Sequence, residues 1–471
     1  MSGLPWLRVA GRHILTQAGE PVLLRGVGVG GWLNMENFIT GFPSTESLQR
    51  AAMKQAMGEP AYDAFFRQFT ESFFAAADAR FLASLGFNCV RLPVNYRLLA
   101  GDSVLPDTGP MRPRESGLAL LDQAVGICAA NGLYTILDLH ALPGGQNAHW
   151  HSDNPTHRAG FWEQRLFQDQ VVALWEGIAQ HFRDTPAVAG YNPVNEPADP
   201  GGALLGPFYA RLAGAIRRAD PRHILFLDGN RYGTDFSAIG EVLPNTVYAA
   251  HDYALPGIAA GSSYPGTTRG EWFDRDVVEQ TFLSRTEFMR QTGTPVWIGE
   301  FGPVYTGDPV QDDMRYALLR DQLAIYRKHG ASWSLWTYKD LGLQGLVTVA
   351  PGSPYGQQIA GVLAKKRRLA TDSWGGDDRQ IRHILEPIEQ FVADEFPDFN
   401  PYPWGARRWI ARILREIVLG EPLVEEFGRC FAGLSPAEAA GLAESFAFES
   451  CDRNERLATL VTDFLGAGPG D

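Results

Sequence analysis

Cysteine is scarce in this chain, four in 471 residues, and no two are spaced as CxxC. A zinc knuckle or a dithiol redox pair needs that spacing, so neither is expected. Cys89 lies in an apolar strand-like run and Cys128 in a helical pattern, where a buried thiol is the ordinary state. No uninterrupted apolar stretch approaches the ~18 residues of a membrane span, so none is expected. The N-terminus, Met1-Ser-Gly-Leu-Pro-Trp-Leu-Arg8, lacks a basic stretch followed by an apolar one. No signal peptide is therefore expected, and the expected location is the cytoplasm. Positive charge is in deficit. The 41 Lys and Arg stand against 54 Asp and Glu, a net charge of -13, which argues against a nucleic-acid partner held through its phosphates.

What is present is a large apolar fraction, 45% against 20% charged, enough for a sizeable core. Eight short apolar runs recur at about 22–32, 88–94, 134–141, 187–197, 224–230, 247–253, 295–301 and 332–339. Most are continuously apolar rather than alternating, as parallel strands buried on both faces should be. Helical patterns separate most of them, at 117–131, 161–182, 207–219, 277–291 and 312–329, with 231–245 the least helical connection. Repeated strand–helix alternation predicts an α/β fold, a (β/α)8 TIM barrel over 1–352. A helical insertion is expected at about 34–86, with Phe65, Phe66, Phe69, Phe73 and Phe74 as a core stripe. The segment 254–270 reads as a mobile loop. From about Ser353 the alternation stops. Helical patterns at 379–395, 406–419 and 436–464 predict a C-terminal helical extension over 353–471, packed on the barrel. Ser435-Pro-Ala-Glu438 has the form of a capping box.

Two of the apolar runs end in glutamate. Glu196 closes Tyr191-Asn-Pro-Val-Asn-Glu-Pro197, and Glu300 closes Pro295-Val-Trp-Ile-Gly-Glu-Phe301. An acid at the end of a buried strand is costly unless it has a task. Two of them suggest a general acid/base and a nucleophile acting on one bond, the plan of a retaining glycosidase with its carboxyls about 5 Å apart. Glu196 would protonate the leaving oxygen and later activate water, and should titrate high beside an anionic Glu300. Asn195 would bind the sugar 2-hydroxyl. Arg91 and Tyr253 would hold Glu300 ionised, with His251 on the same strand face as Tyr253. Gly299 would leave room for substrate. Trp336 would form the floor of the sugar site. The dull alternatives are a helix cap for Asn195-Glu196 and core packing for the tryptophan. Against them, Arg91, His140, Glu196, His251, Glu300 and Trp336 all fall at the same end of their runs, where a barrel carries its active site.

Three other motifs invite functional readings. The loop 146–157 holds His149, His151, Asp153 and His157, but without HExxH or helical spacing. Polar groups on a cleft loop serve sugar hydroxyls as well as a metal, so no metal and no cofactor are expected, and Gln146, Asn147 and Trp150 are candidates for substrate contact. Gly26-Val-Gly28-Val-Gly-Gly31 matches GxGxxG, but Trp-Leu-Asn follows it rather than a clear helix. Lys365-Lys-Arg-Arg368 reads as a solvated face.

With these residues in view, the chain resembles glycoside hydrolase family 5, the cellulase family of retaining (β/α)8 enzymes, over roughly residues 20–350. Asn195-Glu196 matches the family's acid/base motif and Glu300 its nucleophile. Arg91, His140, His251, Tyr253 and Trp336 match its remaining near-invariant positions. Leu24-Arg-Gly-Val-Gly28, Gly31-Trp-Leu33 and Asp138-Leu-His140 followed by Pro143-Gly-Gly-Gln-Asn147 are similar to its exo-β-glucanase and β-mannosidase-like branches. Trp336-Thr-Tyr-Lys339-Asp340 and the helical tail depart from the plain cellulase pattern. The resemblance implies a carbohydrate or glycoside substrate. The insertion, the loop after the third strand and the tail are expected to close one end of the cleft and favour exo-action on a β-glucoside or β-mannoside. An endo-β-glucanase or an aglycone-selective glycosidase is the alternative. Oligomeric state is left open.

Overall fold

The computed structural model describes residues 3–101, 109–372, 374 and 377–466. Eight parallel strands close into a barrel: Arg25–Gly28, Cys89–Asn95, Tyr134–Ala141, Val188–Asn192, Ile224–Asp228, Thr246–His251, Val296–Phe301 and Ser332–Leu335. Each falls in one of the eight apolar runs. The barrel strands are almost wholly buried on both faces, which is why their sequences do not alternate.

The helices of the crossovers cover the outside. Glu115–Ala130, Arg165–Phe182, Leu205–Ala219, Arg275–Arg285 and Pro309–Lys328 match the helical patterns. The last of these starts where Asp308 Oδ1 accepts from the amides of Val310 and Gln311, with Pro309 in the first turn. After the fifth strand only Asn230–Gly233 is helical. At the opposite end, the strands Leu7–Ala10, His13–Thr16 and Pro21–Val22 form a small antiparallel sheet. Leu7 and Ile14 from it join Ile136, Phe226, Val247 and Trp297 in a plug under the barrel.

The insertion folds as the helices Asn37–Thr40, Glu46–Met57, Glu59–Phe73 and Ala76–Ser84. Its phenylalanine stripe is buried against the tail, with the Phe69 and Phe446 rings 4.9 Å apart. The last two of these helices are separated at Phe74 and Ala75, where Asp78 Oδ2 accepts from the Ala75 amide and starts the second.

The tail differs from its expected outline. Pro354–Arg368 is a helix, capped by Ser353, ahead of the helical pattern at 379–395. Its basic run is not a solvated face throughout, because Lys366 is buried and donates to the carbonyls of Asn37 and Phe42. The pattern over 436–464 is two helices, Pro436–Ala443 and Glu455–Gly466, the first carrying the Ser435–Glu438 capping box. The last helix packs on the barrel wall. The Phe464 ring lies 6.5 Å from that of Trp333 in the eighth strand and 3.9 Å from the Arg327 guanidinium of helix Pro309–Lys328. A barrel-shell position is thus filled from the far end of the tail.

The segment 254–270 carries the short helix Leu255–Ile258 and enters a small hairpin at Gly266–Thr268. Arg315 donates to the Ala259 carbonyl at 2.7 Å, and the Tyr264 hydroxyl donates to Asp321 at 2.6 Å. It is therefore tied to helix Pro309–Lys328 rather than loose. Among the described residues no helix is long and apolar enough to cross a membrane.

Candidate active site

The polar ends of the strands converge on one buried cluster. Glu300 closes the seventh strand, and its two carboxylate oxygens have separate donors. Arg91 Nη1 lies 2.5 Å from Oε1, and the Tyr253 hydroxyl donates to Oε2 at 2.9 Å. Arg91 is itself fully buried, held by Asn192 at 3.0 Å, Asn195 Oδ1 at 2.7 Å and Asp138 at 3.0 Å. Burial works against its charge, but Asp138, Glu300 and Asp228 outweigh it and raise its pKa. Burial together with the Glu300 charge holds the Tyr253 hydroxyl well above the usual phenol range, so it stays a donor.

Glu196 sits opposite. Its φ is 46°, a left-handed backbone that costs about 1–2 kcal/mol for a residue with a Cβ. Side chains fix both of its backbone polar groups: the amide donates to Asp228 at 2.9 Å, and the carbonyl accepts from Asn147 Nδ2 at 3.0 Å. Its carboxylate has a histidine on each oxygen. His251 Nδ1 is 2.8 Å from Oε1, and His151 Nε2 is 3.2 Å from Oε2. Oxygens of Glu196 and Glu300 and a ring nitrogen of His251 all lie within 4.8 Å of one another. That separation fits two carboxyls acting directly on one carbon and falls short of the roughly 6.5–9.5 Å of an inverting pair.

Burial alone would push Glu196 up, but hydrogen bonds from His151 and His251, both as donors, hold it well below the usual carboxylate range. The expectation of a high-titrating Glu196 is therefore corrected for that protonation pattern, because the sequence did not place a second histidine on it. Burial disfavours charge on His251 too, yet Glu300 and Asp228 raise its pKa. Burial pushes Asp228 up to about 6.

His140 stacks flat on Trp336, with ring centres 5.5 Å apart and planes 2° from parallel. Its Nδ1 meets Asp138 at 2.7 Å, and its Nε2 lies 3.3 Å from both Asn195 Nδ2 and Glu36 Oε1. Burial opposes its charge, but Asp138 and then Glu36 push it up to about 10. One glycine of the GxGxxG match, Gly28, finds its reason here, while Cys89 stands against Gly26 and Ile39 against Gly31. A Cβ at Gly28 or Gly30 would stand 2.5 or 2.6 Å from the Trp336 indole, so the glycines make room for that ring. The space beside Gly299 is filled as well, by the His251 ring at 2.9 Å, rather than left for substrate.

The loop after the third strand behaves differently from expectation. Gln146 is fully buried, its Nε2 donating to the carbonyls of His140 and Asn195 and its Oε1 accepting from the Leu142 amide. Asn147 is equally buried and committed to Glu196, His149 and His151. Both amides position the site and present no free polar atom to a sugar. Trp150 is buried within the loop, and the loop side chain that reaches the Glu196 carboxylate is His151.

Sequence reasoning missed Glu36, Asp138, His151, Asp228 and Trp374 as site residues. Asp138 and Asp228 carried a signal, since they too lie at the polar ends of barrel strands. Glu36 comes from the insertion and has a buried oxygen, Oε1, without a hydrogen-bond partner. Trp374 comes from the tail, its ring 4.7 Å from Tyr253 and 6.2 Å from Phe38. No local pattern marks either one.

With this geometry in hand, the comparisons are direct. The family model "Cellulase (glycosyl hydrolase family 5)" matches residues 54–342. A protein named beta-xylosidase from Phanerodontia chrysosporium is 44% identical over 475 residues, 98% of each chain. A probable glucan 1,3-beta-glucosidase A of Neosartorya fischeri is 27% identical over 69% of this chain and 84% of its own. A crystal structure of an endogalactoceramidase shares the fold with a TM-score of 0.54 and 21% identity, over 76% of this chain and 77% of that one. The chain belongs to glycosyl hydrolase family 5 and is a retaining β-glycosidase.

Proposed function

We propose that this glycosidase removes a single gluco-configured sugar, glucose or xylose, from the non-reducing end of a β-linked substrate. Glu300 attacks the anomeric carbon, held anionic by Arg91 and Tyr253. Glu196 gives its proton to the departing oxygen, then takes one from the water that cleaves the glycosyl-enzyme. Asn195 binds the 2-hydroxyl, and Trp336 is the floor beneath the ring.

Exo-action is supported by one observation above the others. The two additions to the plain barrel meet beside the nucleophile, where Trp374 of the tail packs against Tyr253 and against Phe38 of the insertion. Glu36, whose buried Oε1 lies 3.3 Å from His140 Nε2, adds a carboxylate that suits a terminal sugar's hydroxyls rather than a continuing chain. The choice of sugar draws on the names of the two relatives. Glucose and xylose share their ring configuration and differ only in the C6 hydroxymethyl group, whereas mannose differs at C2.

The test is a panel of aryl β-glycosides with glucose, xylose and mannose, together with product analysis on oligosaccharides of several lengths. Turnover of the glucoside or xyloside with release of monosaccharide is the expected result. Oligomeric products from the outset would reject exo-action, and a preference for the mannoside would reject the proposed sugar.

A further inference from the structure

We propose that the tail builds a leaving-group subsite beside Glu196, in which Tyr232, Trp404 and Arg412 take a planar aromatic aglycone that carries an anionic group. The proposal rests on the reading of this protein as a single-sugar glycosidase with Glu196 as its acid, and it names the chemistry of what leaves.

The departing oxygen receives the Glu196 proton, so the aglycone starts at that carboxyl. Arg91 and His251 are sealed in, at 0% and 1% exposed, whereas His151 is 16% exposed. The site is therefore open on the His151 side, and Tyr232 stands there. Its ring centre is 6.4 Å from that of His151 and 4.9 Å from that of His149. Its amide donates at 3.2 Å to the carbonyl of Pro197, the residue after Glu196. Arg231 and Tyr232 both hold left-handed backbones, with φ of 52° and 59°. Two such residues in succession are strained, and strain of this kind persists where the surroundings must hold a side chain in one place. Trp404 of the tail stacks on Tyr232, with ring centres 5.7 Å apart and planes 29° from parallel. An aromatic wall thus runs outward from the acid.

The tail also brings charge. In a protein of net charge -13, residues 405–415 hold four arginines and no acid. Arg407 pairs with Glu389 at 2.9 Å, and Arg415 donates to the carbonyls of Ala370 and Asp372. That leaves Arg408 and Arg412. With Trp404 they recur every fourth residue, so all three share one face of helix Gly405–Arg412 and its first flanking residue. Arg408 lies over the Trp404 ring at 4.8 Å. Arg412 Nε is buried and meets no acceptor among the described residues. After burial, the Arg412 charge is the strongest influence on the titration of both His149 and Tyr232, so it stands over the same opening. Burial and then the Arg269 charge lower the pKa of Arg408. Glu416, 3.8 Å from His157, is the carboxylate set against Arg269, Arg408 and Arg412. Like charges one helical turn apart repel, and an anion between them removes that cost. A ring that stacks on Trp404 and a carboxylate that accepts from Arg412 satisfy the wall and the guanidinium together. A neutral sugar would leave the charge unanswered.

The experiment compares kcat/KM on two β-glycosides of the preferred sugar, one of 4-hydroxybenzoate and one of its methyl ester, for wild type, Arg412→Gln, Arg412→Lys and Trp404→Ala. The acid-to-ester ratio is read within each protein, so a loss of folded enzyme cancels. Wild type should favour the acid, and added salt should narrow that preference. Arg412→Gln should lower the ratio about tenfold, and Arg412→Lys, which keeps the charge, should recover part of it. Trp404→Ala should raise KM for both aryl glycosides more than for the methyl glycoside. A ratio that Arg412→Gln leaves unchanged, or a wild type that favours the ester, would overturn the anionic aglycone. Equal KM changes on aryl and methyl glycosides in Trp404→Ala would overturn the aromatic wall. Monosaccharide release by wild type separates the underlying reading. Release with an unchanged ratio rejects the subsite alone, whereas no release from any of these glycosides rejects the single-sugar glycosidase and the subsite with it.

Discussion

At the residue scale, the site divides its charges between two carboxyls by giving them different partners. Glu300 has a guanidinium and a phenol, both fixed donors, whereas Glu196 has two imidazoles whose protons can move. Small-side-chain variants should expose these roles. Glu300→Ala should lose activity by several orders of magnitude, and added azide should restore turnover to an α-glycosyl azide. Glu196→Ala with a dinitrophenyl substrate should give the β-azide instead. NMR of the two products distinguishes them, and the same anomer from both would contradict the assigned roles. Activity should survive dialysis against a strong chelator, because the three close ligand-type groups Glu196, His251 and Glu300 are accounted for by sugar chemistry; loss with recovery on adding a divalent ion would show otherwise. His140 gives a stability prediction. Its folded pKa is raised, to about 10, so its contribution is fully present below the free imidazole value of about 6.5 and is lost as pH rises through about 10. Thermal unfolding should show Tm falling over that window, and His140→Gln should flatten the slope.

At the element scale, the barrel strands were legible because burial on both faces writes a continuous apolar run, and a polar end marks the catalytic face. The resulting set, Arg91, His140, Asn195, Glu196, His251, Tyr253, Glu300 and Trp336, comes together in one cluster. Gln146 and Asn147 were read as sugar contacts because a polar loop at the cleft looks the same whether its amides face inward or out. Only the fold shows them spent on the Glu196 and His140 backbones. The GxGxxG run was ambiguous for a related reason, since glycine reports an absence of side chain without saying what occupies the space. At Gly28 the occupant is the Trp336 indole, which gives a test. Gly28→Ala places a methyl about where Trp336 now sits, so it should displace the sugar floor and raise KM or lower kcat/KM about tenfold or more. Unchanged kinetics would mean that Trp336 does not contact substrate.

At the scale of the whole molecule, insertion, barrel and tail are tied through one buried cation. Lys339, just past the eighth strand, donates to Asp78 at 2.9 Å, to the Phe73 carbonyl at 2.6 Å and to the Phe446 carbonyl at 2.6 Å. The first two lie in the insertion and the third in the tail. Lys339→Ala would strand a buried carboxylate and two carbonyls, a loss of about 3–5 kcal/mol. Denaturant unfolding should register that loss, and a change below 1 kcal/mol would show the three parts to be independently stable.

The fold class, the two strand-end glutamates and the polar ends around them were readable along the linear chain. Each of these follows from local periodicity and from the cost of burying charge at a strand end. What only the tertiary structure decided was the company those residues keep. Glu36, His151 and Trp374 reach the site from an insertion, a loop and a tail that no strand pattern connects. Helix Glu455–Gly466 completes the barrel wall from the far end of the chain. Such meetings depend on how separate surfaces bury one another, and that information is spread over the whole core rather than written at any one position.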